Sequence, residues 1–301
     1  MIFLFYPTLS PCQGKILIFK IPAFHLIKPS TFLYFKNREY VLKKEDTLVD
    51  LAVKFGVGYR NLVLANPGVD PWVPPPGKKI IIPFEILLPP YYLKSGKEFV
   101  LINLPEMRLY YFKRGKFFVA PVGVGVKGSL PPEGVYLIIK KKKDPVWYPP
   151  PSIRKEDPDL PEKVPPGPDN PMGKYALYLS RGMYAIHGTN KIYSIGRRTT
   201  HGCIRLYPWD IKFLFKNVPV GTLVRIVYDP YKIAIQKRKI YLQAFPDIEK
   251  KIKHPVLRII KLLDKLLRNK RENYRINLLK LEKYLKHPDG LVHTIGIVYR
   301  D

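Results

Sequence analysis

"THGCIRL" (residues 200–206) places Cys203, one of two cysteines in the chain, directly after His201 and Gly202 and two residues before Arg205. A buried structural cysteine has no need of such neighbours. The thiolate is the form that attacks a carbonyl carbon. A nucleophilic cysteine therefore needs a base or a positive environment beside it, and a partner that returns a proton to the leaving group. Histidine can do both. His187, in "YAIHGTN" (184–190), ends a β-type run upstream of Cys203, at a separation that lets two adjacent strands bring imidazole and thiol together. Gly202 permits a tight turn and close backbone approach, so main-chain N–H groups around Cys203 can point at a developing oxyanion. Arg205 can grip a substrate carboxylate. Two other readings stay open on these residues. His187, His201 and Cys203 could be zinc ligands, although structural zinc sites usually take four ligands from CxxC or HxxxH pairs. His187 could also be a core histidine and Cys203 an inert thiol, which the adjoining glycine, arginine and second histidine make improbable.

Working outward, "EFVLINLPEMRLYYF" (98–112) reads as two strands around a turn, and "KFFVAPVGVGVKGSLPPEGVYLIIKKKK" (116–143) continues with strands separated by Gly and Pro signals. "KYALYLS", "YAIHG", "GCIRLY" and "TLVRIVYD" add more, with "PWDIKFLFKN" a short helix after the cysteine. Residues 144–172 are Pro-rich and cannot hold regular structure for long, because each proline removes a donor and restricts its neighbour. So long a loop in a compact domain is usually functional or disordered, and a cleft-lining role is expected, with a surface excursion as the alternative.

Upstream, residues 40–83 form a compact module. An extended start is followed by Asp46 and Thr47 as helix N-cap candidates, then Leu48, Leu51, Ala52 and Phe55 at helical spacing up to Gly56. A second helix runs from about Tyr59 to Ala65 and stops at Asn66-Pro67-Gly68, and Lys79–Pro83 closes the unit as a strand. The order is β, α, α, β. Downstream of Asp229 one more strand-like stretch (Lys232 to Ala244) precedes a basic helical region over 247–286. There Ile252, Val256, Ile259, Ile260, Leu263, Leu266 and Leu267 recur at i, i+3, i+4 spacing. Packing on the domain is the expected fate of this stripe, with a peripheral membrane contact as the alternative.

The chain has 301 residues, long enough for two ordinary domains, and its 46% hydrophobic content argues for a folded protein. Lys plus Arg total 52 against 24 Asp plus Glu, a net charge of +28 that attracts polyanions such as an anionic lipid surface or a cell-wall polymer. Nucleic acid is not expected, since no zinc-finger, RNP-type or helix-turn-helix signature accompanies the charge. Cys12 and Cys203 are too few for a disulfide framework. "MIFLFYPTL" and "KILIFKIPAFHLI" are apolar, lack a preceding basic region and fall short of the roughly 18 residues of a membrane span. Residues 1–38 are read as an N-terminal apolar segment, a truncated signal or an extension.

Residues 40–83 resemble the LysM domain, which binds N-acetylglucosamine-containing glycan in a shallow groove. The usual "GDTL" start stands here as "EDTL", with Glu45 for glycine. The resemblance brings Asp46, Thr47, Leu48, Asn66 and Pro67 to that groove. "HGTN" and "THGCIRL" are similar to the signature of the L,D-transpeptidase catalytic domain, also called YkuD. With "INLPEMRLYYF", "PVGVG", "DPVWYPPPSIR" and "GPDNPMGKYAL" the likeness extends to the branch found in Gram-negative envelopes. It implies an α+β multidomain chain: a small βααβ LysM domain (40–83), a mostly-β L,D-transpeptidase β-sandwich (97–229), and a helical, basic C-terminal extension (230–301). Carried over, Cys203 is similar to the family nucleophile and His187 to its general base. Gly188 supplies the carbonyl that orients the imidazole, and the amides of Gly202 and Cys203 form the oxyanion hole. His201, Arg205 and Trp147 are implied as substrate-binding residues, with no cofactor and no metal. The implied partners are peptidoglycan stem peptides and glycan, with an envelope lipoprotein as a further acceptor, and the implied location is the periplasm or cell envelope after export. A non-catalytic wall-binding protein and a cysteine carboxypeptidase or endopeptidase are the alternatives.

Overall fold

The computed structural model describes residues 24–28, 30–95, 98–268 and 272–300. Cys12 and most of the apolar N-terminal segment lie outside them. The described part of that segment adds a short strand, His25–Leu26, to the edge strand Lys116–Pro121, and pairs Leu33–Tyr34 with Ile86–Leu87.

The βααβ order appears as expected. Strand Arg38–Val41 pairs antiparallel with Lys79–Ile82 and flanks helices α1 (Leu48–Phe55) and α2 (Tyr59–Leu64). Thr47 caps α1, its Oγ1 accepting from the Asp50 amide at 3.0 Å. Gly56 ends the helix in the left-handed region at φ 64°, its amide turned back to the Ala52 and Val53 carbonyls. The apolar faces close on a core of Leu48, Leu51, Phe55, Leu62, Ile80 and Ile82.

The central unit is built on one nine-stranded sheet. It bends at strand Gly134–Lys143, whose first half pairs with Leu223–Val227 and whose second half pairs with Tyr175–Leu179, with a register shift between Ile138 and Lys140. The bend lets the two limbs share a core. Val100, Ile102, Leu109 and Phe118 from one limb meet Leu177, Ile186 and Ile204 from the other. The Pro-rich loop carries a short helix, α3 (Pro151–Glu156), where sequence gave no sign of one. Helix α4 (Pro208–Asn217) starts just after the cysteine motif and buries Ile211 and Leu214 against that core. Pro208 at its first turn costs no hydrogen bond, because that N–H has no partner in any helix.

Residues 230–300 hold more strand than their composition suggests. Lys232–Ala244 is a hairpin: Tyr231–Gln236 and Lys239–Ala244 join through Lys237 and Arg238, both at positive φ (50° and 59°). Strands Val292–Tyr299 and Asn273–Ile276 complete a four-stranded antiparallel sheet. Helices α5 (Pro255–Leu267) and α6 (Leu278–Lys286) pack on it. Ile259, Leu263 and Leu267, the centre of the predicted stripe, are buried with Ile233, Ile240 and Leu242. The apolar face of α5 is thus taken up by the sheet. No helix among the described residues is long and apolar enough to cross a membrane.

Candidate active site

The end of the bent sheet sets the site. Strand Ala185–His187 lies between Tyr175–Leu179 and the parallel strand Ile204–Arg205, with His187 in register with Arg205 and Ile186 with Ile204. Because strand side chains alternate faces, burying Ile186 and Ile204 in the core sends Ala185, His187 and Arg205 to the other face. Cys203 joins that face: it is half-buried and packs with Ala185, Ala176, Met172, Tyr178 and Trp147. Trp147 belongs to the Pro-rich loop, whose residues 147 and 164 exchange backbone hydrogen bonds of 2.9 and 2.8 Å. The Asn170 amide holds that loop by donating to the Pro145, Val164 and Pro165 carbonyls. The loop therefore walls the cysteine face, as a cleft-lining segment should.

His187 is buried, and its Nδ1 lies 2.6 Å from the Gly188 carbonyl oxygen. A carbonyl only accepts, so the Nδ1 of His187 carries a proton. Burial, reinforced by repulsion from Arg205, lowers the imidazole pKa to about 4. Burial likewise pushes the Cys203 thiol up, with the Ala185 backbone and Arg205 pulling it back in part. At neutral pH both groups are therefore neutral, Cys203 a thiol and His187 an uncharged imidazole. Arg205 feels both groups. Its Nε is buried and donates to no acceptor among the described residues, and a terminal nitrogen reaches Thr199 Oγ1 only at 3.5 Å. A guanidinium so placed has donors to spare for an anion.

Gly202 sits at φ 114°, and a Cβ there would lie 2.6 Å from the Tyr184 ring, so both conformation and space require glycine. Its amide donates to Thr200 Oγ1 at 3.2 Å, and that hydroxyl donates to the Cys203 carbonyl at 2.7 Å. In this state the Gly202 N–H braces the loop. Thr200 was not anticipated from sequence; a hydroxyl just before the His-Gly-Cys turn is the signal that could have found it. His201 is half-buried on the same turn. Among the described residues no group of three or more His, Cys, Asp or Glu is placed to hold a metal ion.

The residues expected at the glycan groove lie apart from the cysteine and have local duties. Asp46 accepts from the Tyr40 hydroxyl and the Lys43 amide, and Thr47 caps α1. The Asn66 amide group gives both donors to the Leu62 and Ile81 carbonyls and accepts from the Ile81 amide, which commits it to tying α2 to the last strand.

Residues 97–226 match the L,D-transpeptidase catalytic domain (YkuD), and residues 40–83 match the LysM domain. The chain is 43% identical over 196 residues to the probable L,D-transpeptidase ErfK/SrfK of Salmonella typhimurium, covering 63% of this chain and 62% of that protein. It is 44% identical over 188 residues to the probable L,D-transpeptidase YbiS of Escherichia coli, covering 60% of each. The putative L,D-transpeptidase YkuD of Bacillus licheniformis is 32% identical over 191 residues, which span 97% of its length and 62% of this chain. The chain belongs to the YkuD family of L,D-transpeptidases. It spans about three fifths of the length of the Salmonella and Escherichia relatives. Among solved structures, the catalytic domain of an Enterococcus faecium L,D-transpeptidase acylated by ertapenem aligns at 22% identity and a TM-score of 0.36, covering 44% of this chain and 98% of that one.

In this YkuD-family chain the LysM unit packs on the segments that flank the cysteine motif. Tyr59 and Arg60 amides donate to the Ile195 and Gly196 carbonyls at 3.2 and 3.1 Å. The Tyr207 hydroxyl donates to the Val57 carbonyl at 3.0 Å, and Val53 is buried with Ile195 and Tyr207. A Cβ on Gly196 would lie 2.3 Å from the Tyr59 nitrogen, so the approach depends on glycine.

Proposed function

We propose that this chain is a peptidoglycan L,D-transpeptidase of the cell envelope. The observation that carries the reading is the shared face of Cys203, His187 and Arg205, with the His187 Nδ1 proton held by the Gly188 carbonyl. In the first step Cys203 Sγ attacks the carbonyl between the third residue of a stem tetrapeptide, usually diaminopimelate, and its terminal D-alanine. His187 Nε2 takes the thiol proton and passes it to the departing amine, so the C–N bond breaks, D-alanine leaves and a thioester remains. In the second step an amine attacks the thioester, His187 takes its proton, and the sulfur leaves and is reprotonated. A diaminopimelate amine gives a 3→3 crosslink, and a lipoprotein lysine anchors a protein to the wall. Arg205 pairs a donor carboxylate, and Trp147 covers the peptide. No step calls for a cofactor. The LysM unit and the net charge of +28 support residence on an anionic, glycan-rich wall, where tethering raises the concentration of stems at the thiol.

Intact-mass spectrometry of the chain and its Cys203→Ala variant, with a disaccharide tetrapeptide and separately with a carbapenem, tests the reading. An adduct on the unsubstituted chain alone, with loss of D-alanine and a dimer-sized product, is expected. Adducts on both proteins, or no turnover of the tetrapeptide, would sink it in favour of a wall-binding role.

A further inference from the structure

The seam between the LysM unit and the sheet unit holds a cation that pairs with no anion among the described residues. Arg197 lies six positions before Cys203, in the segment clamped by Tyr59 and Arg60. Its guanidinium carbon sits 3.5 Å from the Tyr59 ring centroid and 5.9 Å from that of Trp72, both rings contributed by the LysM unit. The Arg197 Nε is buried with no acceptor, and its side chain enters no hydrogen bond or ion pair among the described residues. Stacking fixes its direction, yet no described carboxylate pairs with it. Beside it Trp72 is 60% exposed and Val73 80% exposed. Their loop is not slack: Asp70 Oδ1 accepts from both of their amides, at 2.7 and 2.9 Å, and the Pro71 carbonyl accepts from the Leu48 amide at 2.9 Å. A rigidly presented, exposed indole next to an unneutralised guanidinium is a pairing that suits a sugar ring carrying a carboxylate.

We propose that Trp72 and Arg197 form a composite saccharide site spanning the seam, in which the indole stacks on a sugar face and the guanidinium pairs a carboxylate on the same glycan strand. The proposal rests on the wall-polymer reading above and adds to it a residue of the sheet unit, so the glycan is gripped by both units rather than by LysM alone. Distance favours this arrangement. Six residues of chain span at most about 20 Å, so a strand held at Arg197 lies near enough for a stem peptide to approach Cys203. Thr199, two residues on from Arg197, already touches Arg205.

The test is calorimetric binding to the full chain carrying Cys203→Ala, so that turnover plays no part. The probes are a denuded glycan strand with free lactyl carboxylates and neutral chitotetraose. The acidic strand should bind about tenfold more tightly at low salt, a preference that falls as salt rises. Arg197→Met, which keeps the stacked stem and removes the charge, should erase the preference while sparing chitotetraose, and Trp72→Ala should weaken both ligands. Thermal unfolding of each variant establishes that it is folded. Should Arg197→Met fail that check, Arg197→Lys, which keeps the charge, must retain a preference for the acidic strand. Equal affinity of the parent for the two probes, or a preference that survives in folded Arg197→Met, overturns the proposal. Neither result bears on acylation of Cys203, which the mass measurement decides separately.

Discussion

The sheet unit meets its neighbours through two unlike seams. Against LysM the contact is mainly one of shape: two backbone hydrogen bonds, the Tyr207 hydroxyl on the Val57 carbonyl, Arg197 stacked on Tyr59, a glycine against a backbone, and a small apolar cluster. Against the C-terminal unit it is one of charge. Glu106 is fully buried, 2.6 Å from Lys232 Nζ and 3.0 Å from Arg108, and it accepts from the Tyr110 hydroxyl at 2.6 Å. Asp229, also buried, accepts from the Tyr92 hydroxyl and pairs with Arg258. Burial pushes the Glu106 carboxyl up, but Lys232 and Arg108 together outweigh it and hold it below the usual range. A seam of shape fails when an atom is added, and a seam of charge fails when one is taken away.

The largest effect should come from Glu106→Ala, which strands the Lys232 ammonium in the interior at a cost of about 3 to 5 kcal/mol. Chemical denaturation reads this directly, and pairing the change with Lys232→Met should recover most of it. A single variant as costly as the pair would mean that the salt bridge is not what binds this seam. Next comes Gly196→Ala. The residue sits at φ 79°, and its new Cβ must displace Tyr59, for an expected loss of about 2 to 3 kcal/mol. Limited proteolysis should then release LysM earlier than in the parent, while the C-terminal unit stays attached. Loss of both units together would erase the distinction between the seams.

Acid gives the smallest effect. A carboxyl with a depressed folded pKa contributes stability that is present above its unfolded pKa and lost as pH falls through the folded one. Stability should therefore drop below about pH 4.5, the ordinary glutamate range, and the paired Glu106→Leu, Lys232→Met variant should flatten that part of the profile. Gly196→Ala should leave the slope unchanged. A parallel slope in the doubly substituted variant would assign the acid sensitivity elsewhere.

Much of this was written locally. Thr47 and Gly56 mark the ends of α1 because capping acts within one turn, and the strand runs of the sheet unit show in their alternation and turn residues. The Cys203 turn was legible for the same reason: Gly202 and its neighbours state their conformational needs within a few residues. The Lys232–Ala244 hairpin was not, since Lys237 and Arg238 take positive φ without the glycine or asparagine that usually announces such a turn.

Sequence alone determined the βααβ module, the strand-rich middle and the glycine-dependent turn that carries Cys203, all of which follow from periodicity and from neighbours along the chain. Tertiary structure alone decided which charges face each other and which glycines touch. Lys232 reads as one more surface lysine until the fold sets it against a glutamate 126 residues away. Gly196 reads as a turn residue until Tyr59 arrives against it. Such pairs leave no periodic mark, because the partner that gives each residue its energy is fixed only once the chain has closed on itself.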